Sequence, residues 1–466
     1  MTDAVPHPGP DERSARGKAA RAHLPRSSHG GWEPTRVRPD PVDLLEEQAR
    51  TRLPELGPIR YGRMLASPFT FFRGGAALMA ADLAAHPRTG LHTQLCGDAH
   101  LSNFGIFAAP DRRLVFSIND FDETLPGPFE WDVKRLAASF AVVGRELGFD
   151  DAVRRATVRA AVREYREAMR RFAQMRNIDV WYTRLDVTAI LRRFQATASK
   201  KQMKRWNKTV NVRTKDSMRA LAKLCRSVDG ELRIVGNPPL VTPIEDVLVD
   251  AEQDHLHDVI RRMIGTYGRS LPGNQRRLLE SYRYAHAARK VVGVGSVGAR
   301  SWILLLVGRD DNDPLFLQFK EAQASVLEPF LGASRYARHG ERVVEGQRMM
   351  QAASDIMLGW AQVVTIDGQE KDFYIRQLWD AKGSLEVELM DPPGLRAYAR
   401  ICGWTLARAH ARSGDRIAIA AYLGTGKAFD VAMASFAESY ADQNDRDYRA
   451  LEEAAASGRI AAEVDV

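Results

Sequence analysis

The chain has 466 residues, 45% hydrophobic and 27% charged, with a formal net charge of +8 and three cysteines, Cys96, Cys225 and Cys402. That length supplies two or three ordinary domains or one large two-lobed enzyme, and the composition is that of a folded protein. Three scattered thiols exclude a disulfide framework and a zinc site, no apolar run is long enough for a membrane span, and the basic balance permits anionic partners without selecting one. The opening "MTDAVPHPGPDERSARGKAA" lacks the apolar centre of a secretory signal, so the expectation is a cytoplasmic protein with no membrane partner.

Residues 1–40 are rich in Pro, Gly, Arg and Ser without apolar periodicity, and are expected to form a disordered tail. From "PVDLLEEQARTRLPEL" leucines recur at helical spacing, and "FFRGGAALMAADLAAHP" reads as an apolar helix ending at its proline. A loop, "CGDAHLSN" at 96–103, leads into "FGIFAAPDRRLVFSIND", whose two apolar runs flank a turn and predict a hairpin that ends in "INDFDE" at 118–123. Helical periodicity then holds from "WDVKRLAASFAVVGREL" through "REYREAMRRFAQM". Residues 199–215, "SKKQMKRWNKTVNVRTK", carry seven cations and no acid; a solvated insertion is the favoured reading and a polyanion-binding surface the other. At 290 the pattern becomes strand, glycine turn, strand, Asp/Asn/Pro turn, strand in "KVVGVGSVGARSWILLLVGRDDNDPLFLQFKEA". A helix over "ERVVEGQRMMQAASDIMLGW", two strand-like runs and C-terminal helices complete the chain. The expected class is α+β, with a mostly helical lobe over 41–288, a small antiparallel-sheet lobe over 289–380, and a hinge with helices over 381–466 packing back on the helical lobe.

"GVGSVG" at 293–298 fits the dinucleotide-binding glycine pattern, but that use requires a helix after the turn, and "SWILLLVG" is strand-like. Between two strands, such a turn can instead lay its backbone amides over phosphates, with Lys320 on the following strand to pair with them. The bland alternative is a glycine hairpin beside an ordinary lysine. "CGDAHLSN" alone is equally compatible with a polar turn whose Asp and Asn bond their own backbone. His100 reads as a packed loop residue and His255 and His257 as surface residues. Arg73 reads as buried beside a carboxylate. His410, Arg412 and Asp415 belong either to a helix end or to a cleft.

"GDAHLSN" resembles the G-D-x-H-x-x-N catalytic loop of kinase-like phosphotransferases such as the aminoglycoside and choline kinases, and "INDFDE" resembles their metal-binding segment. The resemblance implies Asp98 as the catalytic carboxylate, Asn103 and Asp120 as ligands of Mg²⁺, and Asp122 as a turn residue rather than a second ligand. Gly293, Gly295 and Gly298 would cover the phosphates of ATP, and Lys320 would clamp them. Glu345, in preference to Glu341, would pair with Lys320 from the helix, and Asp132 in "FEWDVKRLAAS" would pin the catalytic loop. Cys96 stands where many relatives have His. The order is that of a circular permutation, since catalytic loop and metal segment precede flap and lysine; joined termini and a new cut preserve the contacts of a compact fold. From about residue 45 the chain also resembles an uncharacterised bacterial family, domain of unknown function 2252, through "GDAHLSNFG", "VVGVGSVGAR", "LFLQFKEA", "QAASDIMLGW" and "LARAHARSGD". The implied activity is ATP- and Mg²⁺-dependent phosphoryl transfer to a small hydroxylated acceptor. A non-catalytic nucleotide-binding regulatory module and an AMP transferase are the alternatives.

Overall fold

The computed structural model describes residues 7–188, 217–247, 253–291, 293–365, 368–378 and 385–463; the basic stretch 199–215 lies outside the described residues. The disordered tail expected over 1–40 is not what the described part of it forms. Helix α1 (Pro10–His23) docks on the C-terminal region: Gly17 lies against the Ala418 carbonyl, and Arg13 and Arg16 each approach Asp415 to 2.8 Å. Behind it Leu24, His29 and Trp32 are buried. Close backbone approach and charge, not an apolar stripe, anchor this helix, which is why periodicity gave no signal for it.

Helix α2 (Pro41–Ala49) is capped by Asp40, whose carboxylate accepts the amides of Val42 and Asp43. Three short helices follow: α3 (Gly57–Met64), α4 (Pro68–Gly74) and α5 (Ala76–Ala84). Ser67 and Thr70 form a reciprocal capping box at the start of α4, and Phe69, Phe71 and Phe72 are buried, so α4 is held at both ends. Strand β1 (His92–Leu95) pairs with β4 (Leu125–Pro128), and between them lies the predicted hairpin of β2 (Phe104–Ala108) and β3 (Leu114–Ile118). Helix α6 (Phe129–Glu146) is buried on all sides over most of its length and forms the axis of the helical lobe. Helices α7 (Asp151–Ala173) and α8 (Asn177–Tyr182) follow it.

The expected boundary at 288 is displaced. Helix α9 (Ser217–Leu224), the hairpin of β5 (Cys225–Val228) and β6 (Glu231–Ile234), the short strand β7 (Val241–Pro243), and helices α10 (Ile244–Val247), α11 (Gln253–Ser270) and α12 (Gly273–Leu279) belong with the sheet lobe. Ile260, Met263, Tyr267 and Leu279 share a core with Leu304, Phe319 and Ile375, while Ala220, Leu224 and Ile234 share another with Ile303 and Phe316. Helical periodicity locates an apolar face without saying which partner it covers.

The sheet itself continues with β8 (Arg283–Lys290), β9 (Ser301–Val307) and β10 (Pro314–Glu321). After the short α13 (Glu328–Leu331), helix α14 (His339–Met350) crosses to β11 (Gly359–Val364) and β12 (Glu370–Gln377). All neighbours are antiparallel, in the order β11-β12-β10-β9-β8-β7. Helices α15 (Pro392–Ser413), α16 (Arg416–Leu423) and α17 (Ala428–Ala456) return to the helical lobe, where Leu406, Tyr422, Phe429 and Phe436 join Phe129, Phe140 and Tyr165 in its core. Among the described residues no single helix is long and apolar enough to cross a membrane, and all three cysteines are buried and unpaired.

Candidate functional site

The β1–β4 pairing sets Leu95 opposite Leu125, which lays the loop 96–103 beside the segment 119–124. Gly97 is required there: it adopts φ +85, and a Cβ would collide with the Glu123 carbonyl oxygen. Asp132, in the first turn of α6, fastens the loop by accepting the amides of Cys96 (2.8 Å) and Gly97 (3.1 Å). Its Oδ2 also contacts His410 Nε2 at 3.2 Å, and His410 Nδ1 meets the Tyr165 hydroxyl at 2.8 Å. Ser139 accepts the Leu101 amide, and the Tyr398 hydroxyl donates to the Leu101 carbonyl. The loop is therefore held from α6 and α15 at several points.

Asp98 projects from this loop with its Oδ1 accepting Arg135 Nε at 2.8 Å and its Oδ2 3.6 Å from His100. Burial raises the Asp98 carboxyl above its usual range, and the Arg135 guanidinium pulls the other way. His100 is packed as expected; burial, with Arg73 and Arg135 adding to it, holds the imidazole well below its ordinary value. Asn103 donates from Nδ2 to the Asp98 carbonyl (2.7 Å), and the Asn119 amide donates back to the Asn103 carbonyl (2.8 Å). The hairpin thus returns Asp120 to the loop. Burial, and then the charge of Asp122, raise Asp120; burial also opposes ionisation of Asp122, but the Lys320 ammonium overcomes it and holds that carboxyl low.

Lys320, near the end of β10, lies opposite Ser301 on β9 and Tyr374 on β12. Its ammonium pairs with Asp122 Oδ2. Burial works against that charge, and Asp120 and Asp122 together hold the ammonium above its ordinary value. The expected partner, Glu345, pairs instead with Arg348 (2.8 Å) one turn along α14. What α14 sends toward the loop segment is a cation: Arg342 donates to the carbonyls of Asp122 and Gln323 (2.8 Å each) and of Thr124 (2.7 Å). Asp122 is therefore more than a turn residue, because through Lys320 it joins the loop segment to the sheet lobe.

The glycine turn lies between β8 and β9, as the sequence pattern requires, and is tied to the segment joining α2 and α3. The Leu53 amide donates to the Gly298 carbonyl (2.8 Å), and Arg52 Nη1 to that of Val297 (2.6 Å). Val294 is buried among Val42, Tyr61, Phe71 and Leu451. Gly295 shares a small chamber of about 40 Å³ with Asp98, Asp120 and Asp122, which adjoins a cavity of about 500 Å³ lined partly by Glu321, Gln323 and His339.

The sequence profile of one family, described as an uncharacterized protein conserved in bacteria (domain of unknown function 2252), matches residues 52–454. The chain belongs to that family. The matched span includes the loop, the hairpin, the glycine turn and Lys320, while α1 and α2 lie outside it. No curated protein and no solved structure matches the chain.

In this member of domain of unknown function family 2252, Asp98, Asn103, Asp120, Lys320 and the glycine turn converge, and Glu345 does not join them. His410, Arg412 and Asp415 do not face a cleft: His410 is fully buried, Arg412 donates to the Met349 carbonyl (2.8 Å) and stacks on Trp181, and Asp415 caps α16. Arg135 and Arg342 were missed. The only sequence signal for Arg135 is its position three residues after Asp132, on the same face of α6. For cation binding, Asp120 offers carboxylate oxygen, and Asn103, with Nδ2 already engaged, offers its amide oxygen. Both are hard donors of the kind Mg²⁺ takes alongside phosphate oxygens. Among the described residues no cluster of three or more His, Cys, Asp or Glu side chains forms a metal site.

Proposed function

We propose that the protein is an ATP- and Mg²⁺-dependent phosphotransferase of circularly permuted, kinase-like fold, acting on a small hydroxylated acceptor. The observation that supports this reading is the pairing of Lys320, on the third strand of the glycine-turn meander, with Asp122, two residues beyond Asp120. It brings Lys320 to a segment already bound to the Asp98–Asn103 loop, within reach of the acids that the proposed reading assigns to Mg²⁺ and the acceptor.

In this reading the backbone of Gly293, Gly295 and Gly298 covers the phosphates and Lys320 neutralises them. Asn103 and Asp120 hold Mg²⁺, which when bound draws charge from the phosphate oxygens. Asp98 takes the proton of the acceptor hydroxyl as that oxygen bonds to the terminal phosphorus and ADP leaves with the bridging oxygen. Asp132, through its hold on Cys96 and Gly97, positions Asp98 and does not touch the reacting atoms.

The test is calorimetric titration with ATP, with and without Mg²⁺, on the wild type and on Asp120→Asn. Mg²⁺-dependent binding that the substitution weakens supports the reading, and a folded protein that binds no nucleotide refutes it. One observation favours a second reading, a nucleotide-binding regulatory module without turnover: Arg135 already occupies Asp98 Oδ1. Asp98→Ala separates the two, since loss of turnover with affinity intact belongs only to the enzyme. Mass analysis of acceptors then distinguishes phosphoryl from adenylyl transfer.

A further inference from the structure

Arg73 stands apart from the other cations around the chamber. Arg135 is engaged by Asp98 and by the Phe72 carbonyl (2.6 Å), Arg52 by the Val297 carbonyl and Lys320 by Asp122. Arg73 is mostly buried at the end of α4, yet it makes no hydrogen bond or ion pair among the described residues, and its Nε is fully enclosed without an acceptor. The neighbouring Phe72 ring and the capping box fix the helix that carries it, so its place is set by packing and not by a protein partner. A guanidinium keeps its charge in a protein interior, and an enclosed donor without an acceptor is costly to retain.

Its surroundings join the glycine turn to the acids of the loop and the hairpin, Asp98, Asp120, Asp122 and Glu123. A methyl group added at Gly293 would lie 3.9 Å from Arg73 Nη2, and one at Gly295 would lie 3.5 Å from the Arg73 carbonyl oxygen, so the glycine turn rests directly on this residue. With Asp98, Asp120 and Gly295 it lines the chamber of about 40 Å³, which has room for roughly three waters and so for the oxygens of one phosphoryl group. Asp98 and Asp120 are also among the acids whose charge acts on Arg73.

Resting on the phosphotransferase reading, we propose that Arg73 binds the terminal phosphoryl group of the nucleotide and stabilises the charge that spreads over its oxygens during transfer. The arginine is supplied by the chain itself from α4, while Lys320 serves the inner phosphates from the opposite lobe. The bond from terminal phosphorus to the ADP bridging oxygen breaks as the acceptor oxygen bonds to it. The acceptor proton passes to Asp98, and Arg73 remains a cation throughout.

The experiment is calorimetric titration of the full chain and of Arg73→Met and Arg73→Lys with Mg-ATP and with Mg-ADP, with melting curves to establish that each variant is folded. The readout is the ratio of ATP to ADP affinity within each folded protein, which general loosening of the site would not change. Arg73→Met should weaken Mg-ATP roughly 10- to 100-fold and Mg-ADP far less, with Arg73→Lys recovering part of the loss. Equal loss of both nucleotides, or no loss of either, overturns the role of Arg73 and leaves the nucleotide site standing. A wild type that binds neither nucleotide overturns the phosphotransferase reading and this assignment with it.

Discussion

Asp132→Ala offers a demanding test of how the loop is held. Asp132 is 1% exposed and accepts the amides of Cys96 and Gly97 at 2.8 and 3.1 Å, with His410 Nε2 at 3.2 Å. Alanine leaves those donors enclosed with no acceptor. Each orphaned donor costs about 1–3 kcal/mol, and partial relaxation brings the expected total to about 3–5 kcal/mol, the range for removing one member of a buried polar pair. Asp132→Asn keeps one acceptor oxygen and turns an NH₂ group toward a donor, for an expected loss of about 2 kcal/mol. Urea denaturation followed by circular dichroism measures both as shifts in midpoint at constant slope. His410→Ala, alone and combined with Asp132→Ala, should give a coupling energy of about 1–2 kcal/mol. If Asp132→Ala loses less than about 1 kcal/mol, the loop is held by other contacts and the assignment of Asp132 as its pin is wrong.

Gly97→Ala, which forces a Cβ at φ +85 into the Glu123 carbonyl, should destabilise by at least about 2 kcal/mol in the same assay. Lys320→Met should cost about 2–3 kcal/mol by leaving Asp122 without its ammonium, whereas Glu345→Gln should stay within about 0.5 kcal/mol; the opposite ranking would restore Glu345 as the partner. Burial pushes Glu123 from 4.5 up to about 7, so the folded protein holds a proton there that the unfolded chain has released. Stability should therefore fall as pH rises from 4.5 to about 7 and then level, by up to about 3 kcal/mol, and Glu123→Gln should flatten that slope. A slope unchanged in the variant assigns the dependence elsewhere.

The legible parts of the chain were those whose physics is local. The glycine turn and the strands β9 and β10 after it were announced by the glycines and the Asp/Asn/Pro turn, although the strand before the turn, expected from 290, runs over Arg283–Lys290, and the hairpin of β2 and β3 was announced by two apolar runs around Pro110 and Asp111. The joining of Asp98, Asn103 and Asp120 followed from that hairpin, because a short antiparallel pair returns the chain to where it left. What escaped depended on distant contacts. The docking of α1 is written in Asp415 and the backbone of Ala418, some 400 residues away. The choice of Asp122 over Glu345 turns on the rotation of α14, which presents Arg342 to the loop segment. The polar interior relies on arginines bonded to backbone carbonyls, such as Arg135 on Phe72 and Arg408 on Met350, and carbonyls are the same at every position of a sequence.

The fastening of the glycine turn bears on how the chamber exchanges its contents. Because Leu53 and Arg52 bond the carbonyls of Gly298 and Val297, while Val294 is sunk among Val42, Phe71 and Leu451, the turn cannot lift as a free hairpin tip. Opening it means separating the sheet from the helices beneath, a collective hinge motion of the microsecond-to-millisecond class rather than a loop flicker of nanoseconds. The residence time of anything held there is governed by the seam between the two halves of the molecule. Substitutions along that seam, remote from Asp98, should change the rate at which the turn opens.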